Sequence, residues 1–270
     1  SGEHHSAFIV DMIQGGAGTS TNMNANEVIA NLGLQILGHE PGAYQHLHPN
    51  DDVNCSQSTN DVYPTALRLA ILSNIDGFVA AQTHLVAAFE AKATELDGVM
   101  KVGRTQLMDA VPMTLGQEFR SFANTIEEDI DRLREVSHLL HEVNLGGTAI
   151  GTRVNAPDGY SDLAIAELSR KSGFDLKPAR NFVEASSDLG AFVTFSGILK
   201  RIAVKLSKIC NDLRLLGSGP RAGLAEIKLP AVQAGSSIMP GKVNPVIPEV
   251  VNQVAFQVIG NDLTVTLASE

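Results

Sequence analysis

Three stretches of the chain repeat apolar residues at helical spacing over lengths that few folds accommodate. From about Asp61 to Asp97, Ile71, Ile75, Phe78, Leu85, Phe89 and Leu96 follow at intervals of 4, 3, 7, 4 and 7 residues. From about Val111 to Val143, Leu115, Phe119, Phe122, Ile126, Ile130 and Leu133 keep three- and four-residue spacing. Pro112 stands at the start of that stretch, where a helix does not miss its N–H. From about Ser187 to Leu216 the stripe is Phe192, Phe195, Leu199, Ile202, Leu206, Ile209, Leu213 and Leu216. Such periodicity marks one apolar face of an α-helix. All three stretches exceed 28 residues, and at 1.5 Å per residue each spans about 40–55 Å. Helices that long predict an elongated all-α bundle, extended by partner chains, rather than one small globule. Shorter helices are expected at Asn22–Leu37, Ser161–Ser172 and Val246–Ala268. Period-2 alternation is nearly absent, so no sheet is predicted. Residues 1–270 read as a single helical-bundle domain with a leading segment (1–20) and a 28-residue loop (218–245).

Composition narrows the function. A hydrophobic fraction of 44% is too high for a disordered chain. No run approaches the roughly 18 apolar residues of a membrane span, and no secretory signal pattern opens the sequence. Twenty Lys and Arg against thirty Asp and Glu give a net charge of −10, which argues against nucleic acid or an anionic membrane as the main partner. The two cysteines, Cys55 and Cys210, form no disulfide framework. They suit a reducing cytosol and read as packing thiols, so a cytoplasmic location is expected.

The chemistry concentrates in the loops. Gly146–Gly151 and Gly217–Gly223 lack the G-x-G-x-x-G of a dinucleotide site. Gly235 to Lys242 differs from a phosphate loop, because five residues separate the glycines and Val243 replaces the hydroxyl residue. His4, His5, His46 and His48 give no metal-ligand spacing, so no metal site is expected. Ser58-Thr59-Asn60 precedes a long helix and offers two hydroxyls, an amide and free N–H groups at a positive helix end. That is a carboxylate cradle or an ordinary helix cap. In GSSIMPGKVNP (235–245), two glycines and two prolines force an unusual backbone. Ser236, Ser237, Lys242 and Asn244 are its polar side chains, a set suited to closing over an anion.

These residues carry a resemblance. GSSIMPGKVNP looks like the signature loop of the aspartase/fumarase superfamily. GAGTSTNMNANEVIAN (16–31), SQSTND (56–61), GRTQLMDAVPMTLGQEF (103–119), NLGGTAIGT (144–152) and SGPRAGL (218–224) match its other motifs in order. The resemblance implies an all-α lyase that eliminates across a Cα–Cβ bond to release fumarate. It implies a homotetramer with a twenty-helix core and active sites each shared by three chains, and no cofactor, with divalent-cation activation left open. The chain then corresponds to the central bundle without its flanking domains. Gln106 and Thr59, with NPVIPEVVNQVAFQVIGND (244–262), resemble the branch that deaminates L-aspartate. Class II fumarases usually carry His where Gln106 stands, and Gln cannot accept a proton. The alternatives are a fumarase, a non-catalytic structural member, or an inert tetramer core.

By that resemblance Ser236 is the general base. Thr19, Ser58, Thr59 and Ser237 hold the β-carboxylate, Thr105, Lys242 and Asn244 the α-carboxylate, and Asn60 with Gln106 faces the amino group. A serine base needs its alkoxide stabilised, by loop N–H groups or by Lys242. Glu249 is expected to be structural or a partner of Gln106. His48-Pro49-Asn50-Asp51 matches a secondary anion site of fumarases, although the residues themselves read as a turn. Met108 stands where the family often has Gln, and Arg153 where it would place Gly.

Overall fold

The first long helix opens on a glycine. Gly18, at φ +87°, turns the chain into α1 (Thr19–Ile36). A Cβ there would fall 2.7 Å from the Tyr63 ring, so a side chain meets both a backbone and a space penalty. The structure, a computed structural model, describes residues 2–270. It continues with α2 (Thr59–Glu95), then the antiparallel strands β1 (Met100–Thr105) and β2 (Met108–Thr114), and α3 (Leu115–Ser137). A short parallel pair, β3 (Glu142–Val143) and β4 (Lys177–Pro178), flanks α4 (Tyr160–Ser172). The one-turn α5 (Phe182–Ala185), α6 (Gly190–Leu216) and α7 (Val246–Ala268) complete the order. No helix among the described residues is long and apolar enough to cross a membrane.

The chain divides into two compact units. One comprises residues up to Ser73 together with His138–Leu189. Its buried apolar residues include Ala30 and Leu34 of α1, Leu140, Val143, Ile165 of α4, Leu176 and Phe182 of α5. Asn181 caps α5 by accepting the N–H groups of Val183 and Glu184 at 3.0 and 3.3 Å. His48 caps a single π-helical turn (Pro49–Val53), its Nδ1 accepting from the Asn50 and Asp51 amides.

The other unit comprises Asn74–Ser137 and Gly190–Glu270. Its core gathers Ala93 of α2, Leu115, Phe119, Phe122 and Ile126 of α3, and Ile209 of α6. Phe89, Phe119 and Phe122 meet with ring centroids 5.7–6.0 Å apart, in tilted and edge-on arrangements. α6 packs along both α3 and α7. Polar pins lie along those contacts. Asp262 accepts from Ser196 Oγ at 2.8 Å and from Lys200 Nζ at 2.5 Å. The buried Asp129 pairs with Lys205 at 3.0 Å and Arg201 at 2.7 Å. Asn252 Nδ2 donates to Ser207 Oγ at 2.8 Å.

The all-α reading holds, with corrections. A β-hairpin occupies 100–114, where no sheet was predicted. The helix expected from Val111 begins at Leu115 and ends at Ser137. Its start is set by a reciprocal cap: Gln117 N donates to Thr114 Oγ1, and Thr114 N to Gln117 Oε1. Pro112 therefore lies within β2, opposite Val102, in a two-strand ribbon where a missing N–H is tolerated. Of the three long helices only α2 exceeds 28 residues; α2, α3 and α6 have 37, 23 and 27, or about 55, 35 and 40 Å. Cys210 is buried, and burial pushes its thiol up. Cys55 is exposed rather than packed. In the 218–245 loop Ile227 packs on the core, but Ile238, Met239 and Val232 are exposed.

Candidate active site

In the first unit the Ser58-Thr59-Asn60 loop is held by amides. Ser58 Oγ accepts the Asn60 N–H at 3.2 Å, so the capping reading of this serine holds. Thr59 Oγ1 accepts from Asn22 Nδ2 at 3.1 Å, and Asn54 Oδ1 accepts from Asn22 and Asn26 at 3.2 and 2.9 Å. Asn22 and Asn26 are buried on α1, so that helix orients the start of α2. A hydroxyl whose oxygen already accepts a bond keeps its own proton to donate. Ser58 and Thr59 are thus set as donors at a positive helix end, the arrangement a carboxylate requires. Asn60 Nδ2 donates to the Ala149 carbonyl at 2.6 Å. That leaves Oδ1 as the acceptor that an ammonium would need. Thr19 lies in the first turn of α1, exposed, its Oγ1 donating to Gly16 O at 2.8 Å.

Asp61 was not among the expected site residues. It is fully buried, and its carboxylate accepts the Ser58 N–H at 3.1 Å and the Thr148 N–H at 2.8 Å. Burial pushes its carboxyl above the usual carboxylate range, against the pull of backbone N–H groups from Ser58, Thr148, Gly146 and Val62. Asn144 Nδ2 donates to Asn60 O at 3.0 Å, so the NLGGTAIGT loop grips the cradle at several points. The signal was present in the sequence: Ser58-x-x-Asp61 has the spacing of a reciprocal helix cap.

In the second unit the signature loop closes on itself. A Cβ on Gly235 would stand 1.8 Å from the Lys242 carbonyl oxygen, and Asn244 Nδ2 donates to Gly235 O at 2.9 Å. One N–H of Asn244 is therefore structural and the other remains available. Inside the loop, Ser236 Oγ accepts the N–H groups of Ile238 and Met239 at 3.3 and 3.2 Å. Two backbone donors on one hydroxyl oxygen stabilise negative charge there, as a serine base demands. Ser237 and Lys242 are exposed, and the Lys242 ammonium has no ion-pair partner among the described residues.

Thr105 and Gln106 occupy the tip of the β1–β2 hairpin, both exposed. Gln106 and Leu107 form its two-residue turn at φ 52° and 66°. A type I′ turn requires such angles but favours Asn and Gly. Non-glycine residues there cost about 1–3 kcal/mol each and persist where the surroundings hold them. Arg104 ion-pairs with Glu226, and Lys101 reaches Glu226 at 2.7 Å and also pairs with Glu118. Glu249 lies 4.0 Å from Arg214, its ion-pair partner in this chain. Arg153, at φ 60°, keeps its backbone in the left-handed region that a glycine favours and lays its guanidinium 4.2 Å from the centre of the Phe182 ring.

The first unit thus holds hydroxyls oriented by amides at the start of a helix, and the second a serine oxygen under two backbone donors, groups of a kind that stabilise negative charge. The family model described as Lyase matches residues 1–260. The chain is 67% identical over all its 270 residues to the aspartate ammonia-lyase of Pseudomonas aeruginosa, and 60% identical over 263 residues to that of Escherichia coli K12. It spans 57% and 55% of those relatives' lengths. Among solved structures, a fumarate lyase:delta crystallin from Brucella melitensis bound to cobalt superposes with a TM-score of 0.97 at 68% identity, over 99% of this chain and 58% of that one. A recombinant class II fumarase from Schistosoma mansoni gives 0.92 at 35% identity, over 99% and 59%. The chain belongs to the lyase family of the aspartase/fumarase superfamily.

Proposed function

We propose that the protein of which this chain forms part deaminates L-aspartate to fumarate and ammonia. Ser236 takes the pro-R proton from Cβ as an alkoxide base. The electron pair left behind moves onto the β-carboxylate as a doubly charged aci-carboxylate. That charge returns to form the Cα–Cβ double bond as the C–N bond breaks and ammonia departs. The burden is stabilisation of a dianion, for which preorganised donors serve. Thr19, Ser58, Thr59 and Ser237 hold the β-carboxylate, while Thr105, Lys242 and Asn244 hold the α-carboxylate. Asn60 Oδ1, with Gln106, receives the amino group. The scheme requires no cofactor.

The observation that carries this reading is the pair of backbone N–H groups on Ser236 Oγ. Relatives named aspartate ammonia-lyase at 60–67% identity support the substrate. Gln106 supports it over fumarate hydration, since Gln offers no base for water. A homotetramer with sites shared by three chains belongs to the proposal. It is supported by the open apolar residues of α7: Val250 is 47%, Val254 60%, Leu263 62% and Leu267 63% exposed. Free cysteines suit the cytosol. The test is absorbance of fumarate formed by the full-length protein. L-aspartate is expected to yield fumarate and L-malate none; comparable turnover of L-malate replaces this reading with a fumarase.

A further inference from the structure

Glu226 lies in the AEIKLP stretch, outside every residue placed against substrate above. Its backbone is anchored, since Glu226 N donates to Leu216 O at the end of α6 at 2.9 Å, and the next residue, Ile227, packs on the core of the second unit. From that fixed base its carboxylate reaches two cations of β1. Oε1 takes the Arg104 guanidinium and Oε2 the Lys101 ammonium. Lys101 is 8% exposed at its side chain, and Arg104, Glu118 and Glu226 lie near 20% at 22%, 21% and 19%. Two cations and two carboxylates share one partly buried knot, so the charges balance. Arg104 immediately precedes Thr105 and Gln106, and the turn beyond them holds Gln106 and Leu107 at left-handed φ. The only side-chain ion pair that reaches this end of β1 among the described residues is the one from Glu226.

We propose that Glu226 is a positioning residue that acts through Arg104 to fix the hairpin tip, and so sets where Thr105 and Gln106 meet the substrate. The inference rests on the proposed aspartate reading of those two residues. It separates the knot into two jobs. Lys101 with Glu118 ties the base of the hairpin to the first turn of α3, and that pair survives loss of Glu226. Arg104 with Glu226 holds the tip. The guanidinium is held firmly protonated, chiefly by its hydrogen bond to Glu226, and the two Glu226 cations outweigh the burial that would raise its carboxyl. Loss of the Glu226 charge therefore leaves the hairpin attached but its tip free to leave the strained turn. Thr105 and Gln106 contact groups that are present in both ground state and transition state, so a displaced tip weakens uniform binding.

The experiment measures fumarate release from L-aspartate by the full-length protein and its Glu226→Gln, Arg104→Gln and double variants. Each single variant is expected to raise KM on the order of tenfold while kcat changes less than about threefold. The double variant is expected to be no worse than either single, because both break one link. An unchanged KM, a fall in kcat alone, or multiplied losses in the double variant overturns the inference. If Glu226→Gln yields no folded protein, Arg104→Gln is compared with Arg104→Lys, which keeps a cation for Glu226. A KM raised in the first and largely restored in the second supports the link; equal KM values in both overturn it. Wild-type protein that releases no fumarate from L-aspartate removes the proposed function and this inference together, whereas active wild type with unaffected variants removes this inference alone.

Discussion

On the base role proposed for Ser236, Ser236→Ala is expected to separate catalysis from folding. The hydroxyl accepts two amide bonds, at 3.3 and 3.2 Å, in a loop whose side chains are largely exposed. Neutral bonds of that kind contribute roughly 0.5–1.5 kcal/mol net, and water reaches the freed N–H groups, so the loss of stability is about 1–2 kcal/mol. For a chain of this size that moves Tm by only a few degrees. The chemical step loses far more. A positioned base contributes about 10²–10⁴ in rate, and donors aimed at developing charge about 10²–10³. Removing the oxygen removes the base and leaves the donors nothing to stabilise. The expected fall in kcat is at least about 10⁴-fold, or roughly 5.5 kcal/mol at 1.36 kcal/mol per decade. KM is expected to change little, because few ground-state contacts go with the hydroxyl. The assay is fumarate absorbance at saturating L-aspartate, with a thermal melt on the same sample. A Ser236→Ala enzyme with near-normal kcat refutes the reasoning, and so does a variant that loses activity only because its Tm has collapsed.

Asp61→Ala leaves the Ser58 and Thr148 N–H groups without their acceptor; after relief of the buried charge, a denaturation curve is expected to show a loss of about 1–3 kcal/mol. Because the Asp61 carboxyl is raised, the folded state holds its proton longer than the unfolded chain. Wild-type stability from this group therefore falls as pH rises through the raised value, a slope the alanine variant lacks. Glu226 and Asp262 behave in the opposite sense, since both carboxyls are depressed. Their contribution is full above the ordinary values of 4.5 and 3.8 and is lost as pH falls through the depressed ones. Asp262→Asn is expected to flatten that acid limb in pH-dependent melts, and an unchanged limb counts against the Lys200–Asp262 pair.

Much of the helical frame was legible because its stripes are long and regular. α2, α6 and α7 fall within a few residues of the expected bounds. The hairpin was not legible, for reasons visible in its residues. Its register shifts between Val102 and Arg104, which breaks the period of two, and Gly103 and Pro112 read as loop or helix punctuation. Its turn is Gln106-Leu107 rather than a residue pair that advertises positive φ. The Thr114-x-x-Gln117 cap that stops β2 and starts α3 was readable by spacing, but the apolar stripe drew the boundary too early. Motif order located the signature loop and the Ser58–Asn60 cradle. It did not reveal Glu226, whose cations are distant in sequence and leave no periodic trace, and it passed over Asp61, whose link to Thr148 is equally distant although its Ser58-x-x-Asp61 spacing was readable.

The asparagine network of the first unit has a consequence for how such a site responds to acidity. Asn22, Asn26 and Asn54 orient the Thr59 hydroxyl entirely with carboxamides. An amide neither gains nor loses a proton across the range in which proteins work. The donor array around the cradle therefore has no ionisation of its own beyond the buried Asp61, and its geometry is indifferent to pH wherever that group keeps one charge state. A bell in a rate profile must then originate outside these carboxamides: in the substrate, in the loop that carries Ser236, in the Glu226 link to the hairpin tip, or in the Asp61 carboxyl. Spectroscopically, the side-chain NH₂ protons of Asn22 and Asn26, hydrogen-bonded on a buried helix face, should exchange slowly with solvent and report the integrity of the cradle without any substrate present.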